Sequence, residues 1–393
     1  MSIRGRALRV AAGSLGLAAG ATASAVAYQR VQASLREGEM PAAENVPQPG
    51  VDNPDLLFGG NHDAEDGLTF GSLRGQVLNV VTEDGIDLHV EVDEVDPALA
   101  GESGWPEDVT VVFAHGFTLN QDAWHFQRRH LRGRVRTVFY DQRSHGRSAR
   151  SAPEHCTIEQ LGRDLERVIA TTCPGRAVVV GHSMGGMTVV SLAAQFPDLF
   201  GEKVVGAALV ATTAGGMDPG RILFPLAPVG ALTSGAVNRA VKVLDRGHGF
   251  VDRLRSSGIP LARRITDRYS FGDEVPRSWA EFVFDMIDAT PFEVVAAFYP
   301  TFVSLNLFEN LDGFTKVPVT IVGGTADRLT SIGHQRKLHA RIPGSELYEA
   351  HGAGHMVLME RHSDVDRELD HLITRAAPPA RENGRSRRPG RAG

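Results

Sequence analysis

The sequence predicts an α/β architecture: a mostly parallel central sheet flanked by helices, with a helical cap inserted late in the chain. Three observations carry that prediction. Short, continuously apolar runs at 109–114, 135–140, 177–180, 204–211 and 317–322 have the length and β-branched content of strands covered on both faces. Segments with apolar residues at helical spacing alternate with them, and such alternation is the mark of a parallel sheet. The stretch 215–313 breaks the rhythm with helical patterns at 279–287 and 292–307, and is assigned to the cap.

Taken in order, residues 76–82 and 86–95 form a hairpin around Glu83-Asp84-Gly85, with Asp-Gly at the turn. The strands 109–114 and 135–140 follow. Within 157–172, Ile158, Leu161, Leu165, Val168 and Ile169 repeat at helical spacing behind Thr157, a suitable N-cap, with Glu159 and Gln160 in the first turn. Strand 177–180, helix 184–195 and strand 204–211 come next. Beyond the cap, 317–322 reads as a strand, 331–342 as a helix, 346–348 as a short strand and 356–374 as one closing helix. The core is therefore 73–214 together with 314–375, and no repeat of solenoid period is present.

One enlarged α/β domain with an insertion accounts for 393 residues, and 42% apolar with 22% charged residues excludes collagen-like, coiled-coil and wholly disordered chains. Charge is uneven. Five Arg against two Glu occupy 1–39 and six Arg against one Glu occupy 375–393, so a net −6 leaves −14 for the span between. Nucleic acid is not an expected partner of so acidic a body. Arg4, Arg6 and Arg9 precede an uncharged small-residue stretch at 10–29, so 1–30 reads as a signal peptide or N-terminal membrane anchor. The expectation is an exported or envelope-anchored protein with membrane association through that segment. An Ala-rich soluble leader is the rival reading, and it would leave the protein in the cytoplasm. Residues 31–72 read as a linker and 376–393 as a disordered basic tail. Cys156 and Cys173 flank a helix too long to let them meet, so both are expected as free thiols.

The chemistry begins at Gly181-His182-Ser183-Met184-Gly185, a G-x-S-x-G turn between an apolar strand and a helix. There a serine sits on a strained turn at the carboxyl edge of the sheet, and glycines on either side leave room for it. A serine nucleophile needs a base, and the base needs an orienting carboxylate. Asp327 follows the strand 317–322, and His355 follows the strand 346–348, just ahead of the closing helix. His351 is the rival base, but the loop glycines lie after it. No rival acid appears behind strand 204–211 before Asp218. Acyl transfer also needs donors for the developing oxyanion, and the backbone N–H groups of Phe117, in His115-Gly116-Phe117, and of Met184 are placed to serve. Singly, His115 reads as a loop histidine and Asp327 as a helix cap; the reading rests on all of these features standing in order at strand ends. A histidine base must be neutral, so hydrolysis is expected to fall as pH drops through about 6.5.

GHSMGG, the HGF loop, Asp141-Gln142-Arg143-Ser144-His145-Gly146-Arg147-Ser148, GxADRxT and the terminal GxGH together resemble the α/β-hydrolase superfamily. They are most similar to its capped esterase, lipase and non-haem-peroxidase-like branch, over roughly residues 75–374. The resemblance implies the α/β-hydrolase fold and a serine hydrolase with Ser183, Asp327 and His355 as its triad. Ser144 stands where the family pattern has a glycine, which puts that loop's conformation in question, and neither Asp141 nor His145 is counted as catalytic. Serine rather than aspartate at the elbow argues against epoxide-hydrolase and dehalogenase chemistry. Ester cleavage is the leading expectation. Carbon–carbon bond hydrolysis, perhydrolysis and a non-catalytic, receptor-like role stay open beside it. Neither a metal nor an organic cofactor is implied. The expected partner is a small-molecule ester with a hydrophobic group, because aromatics such as Trp279, Phe282, Phe298 and Phe302 crowd the cap, although helix packing alone also calls for them.

Overall fold

The apolar runs build the middle of an eight-stranded sheet in a computed structural model that describes residues 67–217 and 267–376. Its strands are β1 (Gln76–Val81), β2 (Asp87–Asp93), β3 (Val109–Ala114), β4 (Arg136–Tyr140), β5 (Arg176–His182), β6 (Val204–Val210), β7 (Val319–Gly324) and β8 (Glu346–Ala350). They lie in the order β1-β2-β4-β3-β5-β6-β7-β8, with β3 to β8 parallel and β2 antiparallel to both of its neighbours. Every residue of β3, β6 and β7 is buried, which is why these segments carry apolar side chains without alternation. The edge strand β1 shows Val77 and Val81 to solvent.

The hairpin closes as expected: Thr82 N–H donates to Ile86 O at 2.9 Å and Gly85 N–H to Thr82 O at 3.0 Å. Gly85 takes φ 82°, a left-handed conformation that costs glycine little. Helices α1 (His125–Leu131), α2 (Ile158–Thr172) and α3 (Met184–Gln195) connect the first half of the sheet. Thr157 caps α2, its hydroxyl accepting from Gln160 N at 3.1 Å, and Cys156 and Cys173 are both free and buried at its two ends. Between β6 and β7 stand α4 (Arg277–Ala289) and α5 (Phe292–Ser304), and after β7 come α6 (Ile332–Arg341), α7 (Val357–Glu360) and α8 (His362–Arg375). The pattern at 292–307 thus ends early, because Leu305 turns extended and Gly215 and Asn306 form an antiparallel bridge.

The single closing helix expected at 356–374 is two helices broken at Arg361, which has φ −130° and ψ 40°. The cause is Glu360. Its half-buried carboxylate accepts from Gly354 N at 2.6 Å, Gly272 N at 2.9 Å and Asp273 N at 3.1 Å, which anchors the end of α7 to two loops.

Ion pairs on the buried Arg143 lock the loop that follows β4. The Arg143 guanidinium contacts Asp164 on α2 at 2.6 and 2.7 Å and Asp84 in the hairpin turn at 2.8 and 2.9 Å. A second cluster joins Arg128 to Asp93 and Arg74 to Asp122 beside the antiparallel strand β2. The segment 1–30, most of the linker, residues 218–266 of the cap and the tail beyond 376 lie outside the described residues. No described helix is long and apolar enough to cross a membrane.

Arg143→Met strands the Asp164 carboxylate in the interior, so it should cost about 3–5 kcal/mol of stability, read as a lower urea midpoint. Arg143→Met combined with Asp164→Leu should recover much of that loss.

Candidate active site

Strand β5 ends at His182 and α3 begins at Met184, so Ser183 makes the whole turn, at φ 53° and ψ −115°. Backbone held in that region costs about 1–3 kcal/mol and persists only where its surroundings enforce it. Here Ser183 N donates to Val210 O at 2.9 Å and Thr212 Oγ1 donates to Ser183 O at 2.6 Å. Space is the second constraint. A Cβ on Gly185 would collide with the Ala114 carbonyl and lie 2.7 Å from the His115 carbonyl, and one on Gly186 would lie 2.5 Å from Thr212 Cβ. The start of α3 therefore packs backbone to backbone against the end of β3.

His355 Nε2 lies 2.9 Å from Ser183 Oγ and His355 Nδ1 lies 2.9 Å from Asp327 Oδ2. The other carboxylate oxygen accepts from Leu329 N at 2.8 Å and Thr330 N at 3.0 Å. The Thr330 hydroxyl stands 2.9 Å from Asp327 Oδ2 and 2.7 Å from Ala211 O. A carboxylate accepts, so Nδ1 carries the imidazole proton and Nε2 presents its lone pair to the serine hydroxyl. The Asp327 side chain is shut off from solvent, while that of His355 keeps 9% of its surface open. The three side chains named from the sequence are thus brought into one line.

Met184 is the first residue of α3, where backbone N–H groups have no acceptor within the helix. Phe117 lies in the loop after β3, next to Thr118 at φ 60°. That loop rests on the elbow: a Cβ on Gly116 would lie 2.8 Å from His182 Nδ1. His182 Nε2–H in turn donates to His355 O at 3.0 Å, fixing the backbone of His355.

The rival candidates fall elsewhere. His351 is exposed on the turn after β8, and its carbonyl accepts from Arg361 at 2.9 Å. Asp218 lies outside the described residues. Asp141 is wholly buried and organises its own loop, accepting from Gln121 N and Arg147 N at 2.8 Å each, while burial raises its pKa. His145 donates from Nδ1 to Arg143 O at 3.0 Å, and burial, with His115 close by, lowers its pKa to about 3. Ser144 takes φ 65°, the left-handed conformation a glycine would adopt freely, and Gly146 follows at φ 51°. The serine is therefore accommodated in a glycine-like turn.

Sequence reasoning did not single out Thr330, His182 as a backbone clamp, or Glu360. Thr330 had a local signal, since an Asp followed three residues later by Thr favours side-chain-to-backbone bonding. Glu360 had none. Among the described residues, no group of three or more His, Cys, Asp or Glu could hold a metal ion.

Val294, Phe298 and Phe302 of α5 form one buried cluster with Met184 and Met187 of α3, and Phe117 packs against it. The Phe117 ring is 5.0 Å from that of Phe302 and 6.1 Å from that of Phe298. An apolar wall therefore adjoins the elbow.

Comparison with known proteins agrees with this fold. An uncharacterized protein of Mycobacterium tuberculosis is 26% identical over 270 residues, which is 66% of this chain and 73% of that one. The uncharacterized hydrolase YugF of Bacillus subtilis is 23% identical, over 68% of this chain and 91% of its own. Among solved structures, an esterase from Exiguobacterium antarcticum superposes with a TM-score of 0.59 at 16% identity, over 76% of this chain and 99% of its own. The enol-lactonase from Burkholderia xenovorans LB400 does so at 0.53 and 25% identity, over 76% of this chain and 100% of its own. The model of the alpha/beta hydrolase family matches residues 111–368, from β3 into α8. With that match spanning well over half of the sequence, the chain belongs to the alpha/beta hydrolase family and is an enzyme, a hydrolase.

Proposed function

We propose that this enzyme is a serine hydrolase cleaving carboxylic esters with a hydrophobic acyl or alcohol group, through an acyl-enzyme. The observation that carries the reading is the unbroken line Asp327–His355–Ser183, with 2.9 Å at each junction. Ser183 Oγ attacks the ester carbonyl while its proton passes to His355 Nε2. Asp327 holds the imidazole and offsets the charge it acquires. The tetrahedral oxyanion takes hydrogen bonds from the N–H groups of Phe117 and Met184. His355 then protonates the departing alcohol, leaving the acyl group on Ser183. Water, activated by the same nitrogen, attacks that acyl group and releases the acid.

A hydrophobic substrate group is supported by the wall of Phe298, Phe302, Met184 and Met187. Residues 215–313 form the cap in this reading, and α5 supplies the part of it beside the elbow. A lactone is an internal ester, so the fold shared with an enol-lactonase also supports the ester class. The N-terminal segment belongs to the same proposal, as an export signal or anchor that delivers the enzyme to the cell envelope.

The test is nitrophenol release from short to long acyl esters, with Ser183→Ala alongside. Turnover should fall on the order of 10³-fold or more in the variant. Absence of turnover with every ester, in folded protein, would sink the esterase reading. Activity should also decline on acidification, because only neutral His355 can take the serine proton. His115 and His145, held by burial at about 4 and about 3, stay neutral between pH 5 and 8 and add nothing to that limb. A flat acid limb would count against His355. Mass spectrometry of the mature N-terminus tests the leader: loss of about the first 30 residues is expected for a cleaved signal, and an intact Met1 on membrane-bound material indicates the anchor.

A further inference from the structure

We propose that Gln142 is the positioning residue of the oxyanion site, holding the peptide that carries the Phe117 N–H and tying it to the helix that carries the Met184 N–H. The inference rests on the serine-hydrolase reading above. Gln142 follows β4 and is wholly buried. Its Nε2 donates to His115 O at 2.6 Å, its backbone N–H donates to His115 Nε2 at 2.9 Å, and its Oε1 accepts from Thr188 Oγ1 at 2.8 Å. A backbone carbonyl only accepts, so the amide nitrogen must face His115 and the amide oxygen must face the Thr188 hydroxyl.

The His115 tautomer follows by the same logic. Its Nδ1 lies 2.7 Å from Gly116 O, which can only accept, and its Nε2 receives the Gln142 backbone N–H. Nδ1 therefore carries the proton, and the ring is neutral. Burial keeps it so, with its pKa lowered to about 4. His115 thus grips the carbonyl of the Gly116–Phe117 peptide. A trans peptide is planar and carries its N–H opposite its C=O, so holding Gly116 O sets the direction of the Phe117 N–H. Polarising that carbonyl also strengthens the N–H as a donor.

At the other end, Thr188 lies one turn into α3, and its hydroxyl stands 3.0 Å from Met184 O. Gln142 consequently spans the two backbone segments that supply the oxyanion donors. Backbone amides cannot be tuned by substitution. Their separation depends on what clamps them, and here one side chain touches both segments.

The test compares wild type with Gln142→Leu and Gln142→Glu, using Ser183-dependent ester turnover and the affinity of a phenylboronic acid, whose tetrahedral adduct on serine mimics the transition state. Gln142→Leu should lower kcat about 10- to 100-fold with KM within twofold, and weaken boronate binding by a similar factor. Gln142→Glu can accept from Thr188 but, when ionised, cannot donate to His115 O, so it should lose as much as Gln142→Leu. Thr188→Val should lose less, and adding it to Gln142→Leu should cost little more, because both break one link. The proposal is overturned if folded Gln142→Leu keeps boronate affinity and kcat within twofold of wild type, or if kcat falls while boronate affinity holds. Unchanged turnover in Ser183→Ala would instead bring down the serine-hydrolase reading, and this proposal with it, so the two failures are told apart.

Discussion

The site depends on one close approach, the start of α3 lying against the carbonyls of Ala114 and His115 at the end of β3. Gly185 makes it, since any side chain there would occupy the space of the Ala114 oxygen. That contact brings the end of one strand and the start of one helix to the same point of the carboxyl edge. It also forces Ser183 to complete the strand-to-helix turn alone, at positive φ. The strain is contained by bonds from Ser183 N and to Ser183 O, which fasten the elbow to β6 and the residues after it. Ligand sites at the carboxyl edge of an α/β sheet are the general rule, and this packing puts Ser183 at that edge.

Histidines crowd this region, and their partners sort them into roles. His115, His145 and His182 are buried, each pairs a ring nitrogen with a backbone carbonyl, and burial lowers the pKa of all three. Such rings act as neutral struts. His355 alone of the four meets a carboxylate, and it alone faces the serine hydroxyl. The imidazole ring of His182 lies 4.9 Å from that of His355, so a charged strut there would oppose positive charge on His355. Keeping the struts neutral spares His355 that repulsion.

Much of this was legible in the sequence, for reasons that differ by element. Strands covered on both faces need unbroken apolar runs, so β3, β6 and β7 announce themselves, within one or two residues at their ends. Ser183, Asp327 and His355 are legible because each stands just after a strand, and strand ends can be located. The break at Arg361 is not, because its cause is Glu360 bonding to Gly272, 88 positions away in the chain. Gln142 is illegible as a clamp for a similar reason. A polar loop residue has no periodicity, and its partners, His115 and Thr188, are 27 and 46 positions away in the chain.

Glu360 also bears on how such a chain could be rebuilt. The same carboxylate takes the amides of Gly272 and Asp273, at the approach to α4, and of Gly354, immediately before His355. A Cβ on Gly354 would lie 2.5 Å from the nitrogen of Gly272, so the two loops also touch through bare backbone. A chimera that grafts another relative's insertion between β6 and β7 therefore has a natural seam after Asp273. Moving the junction upstream of Phe271 would import foreign backbone into the seat of His355, and the graft would disturb the His355–Ser183 contact along with the insertion it replaces.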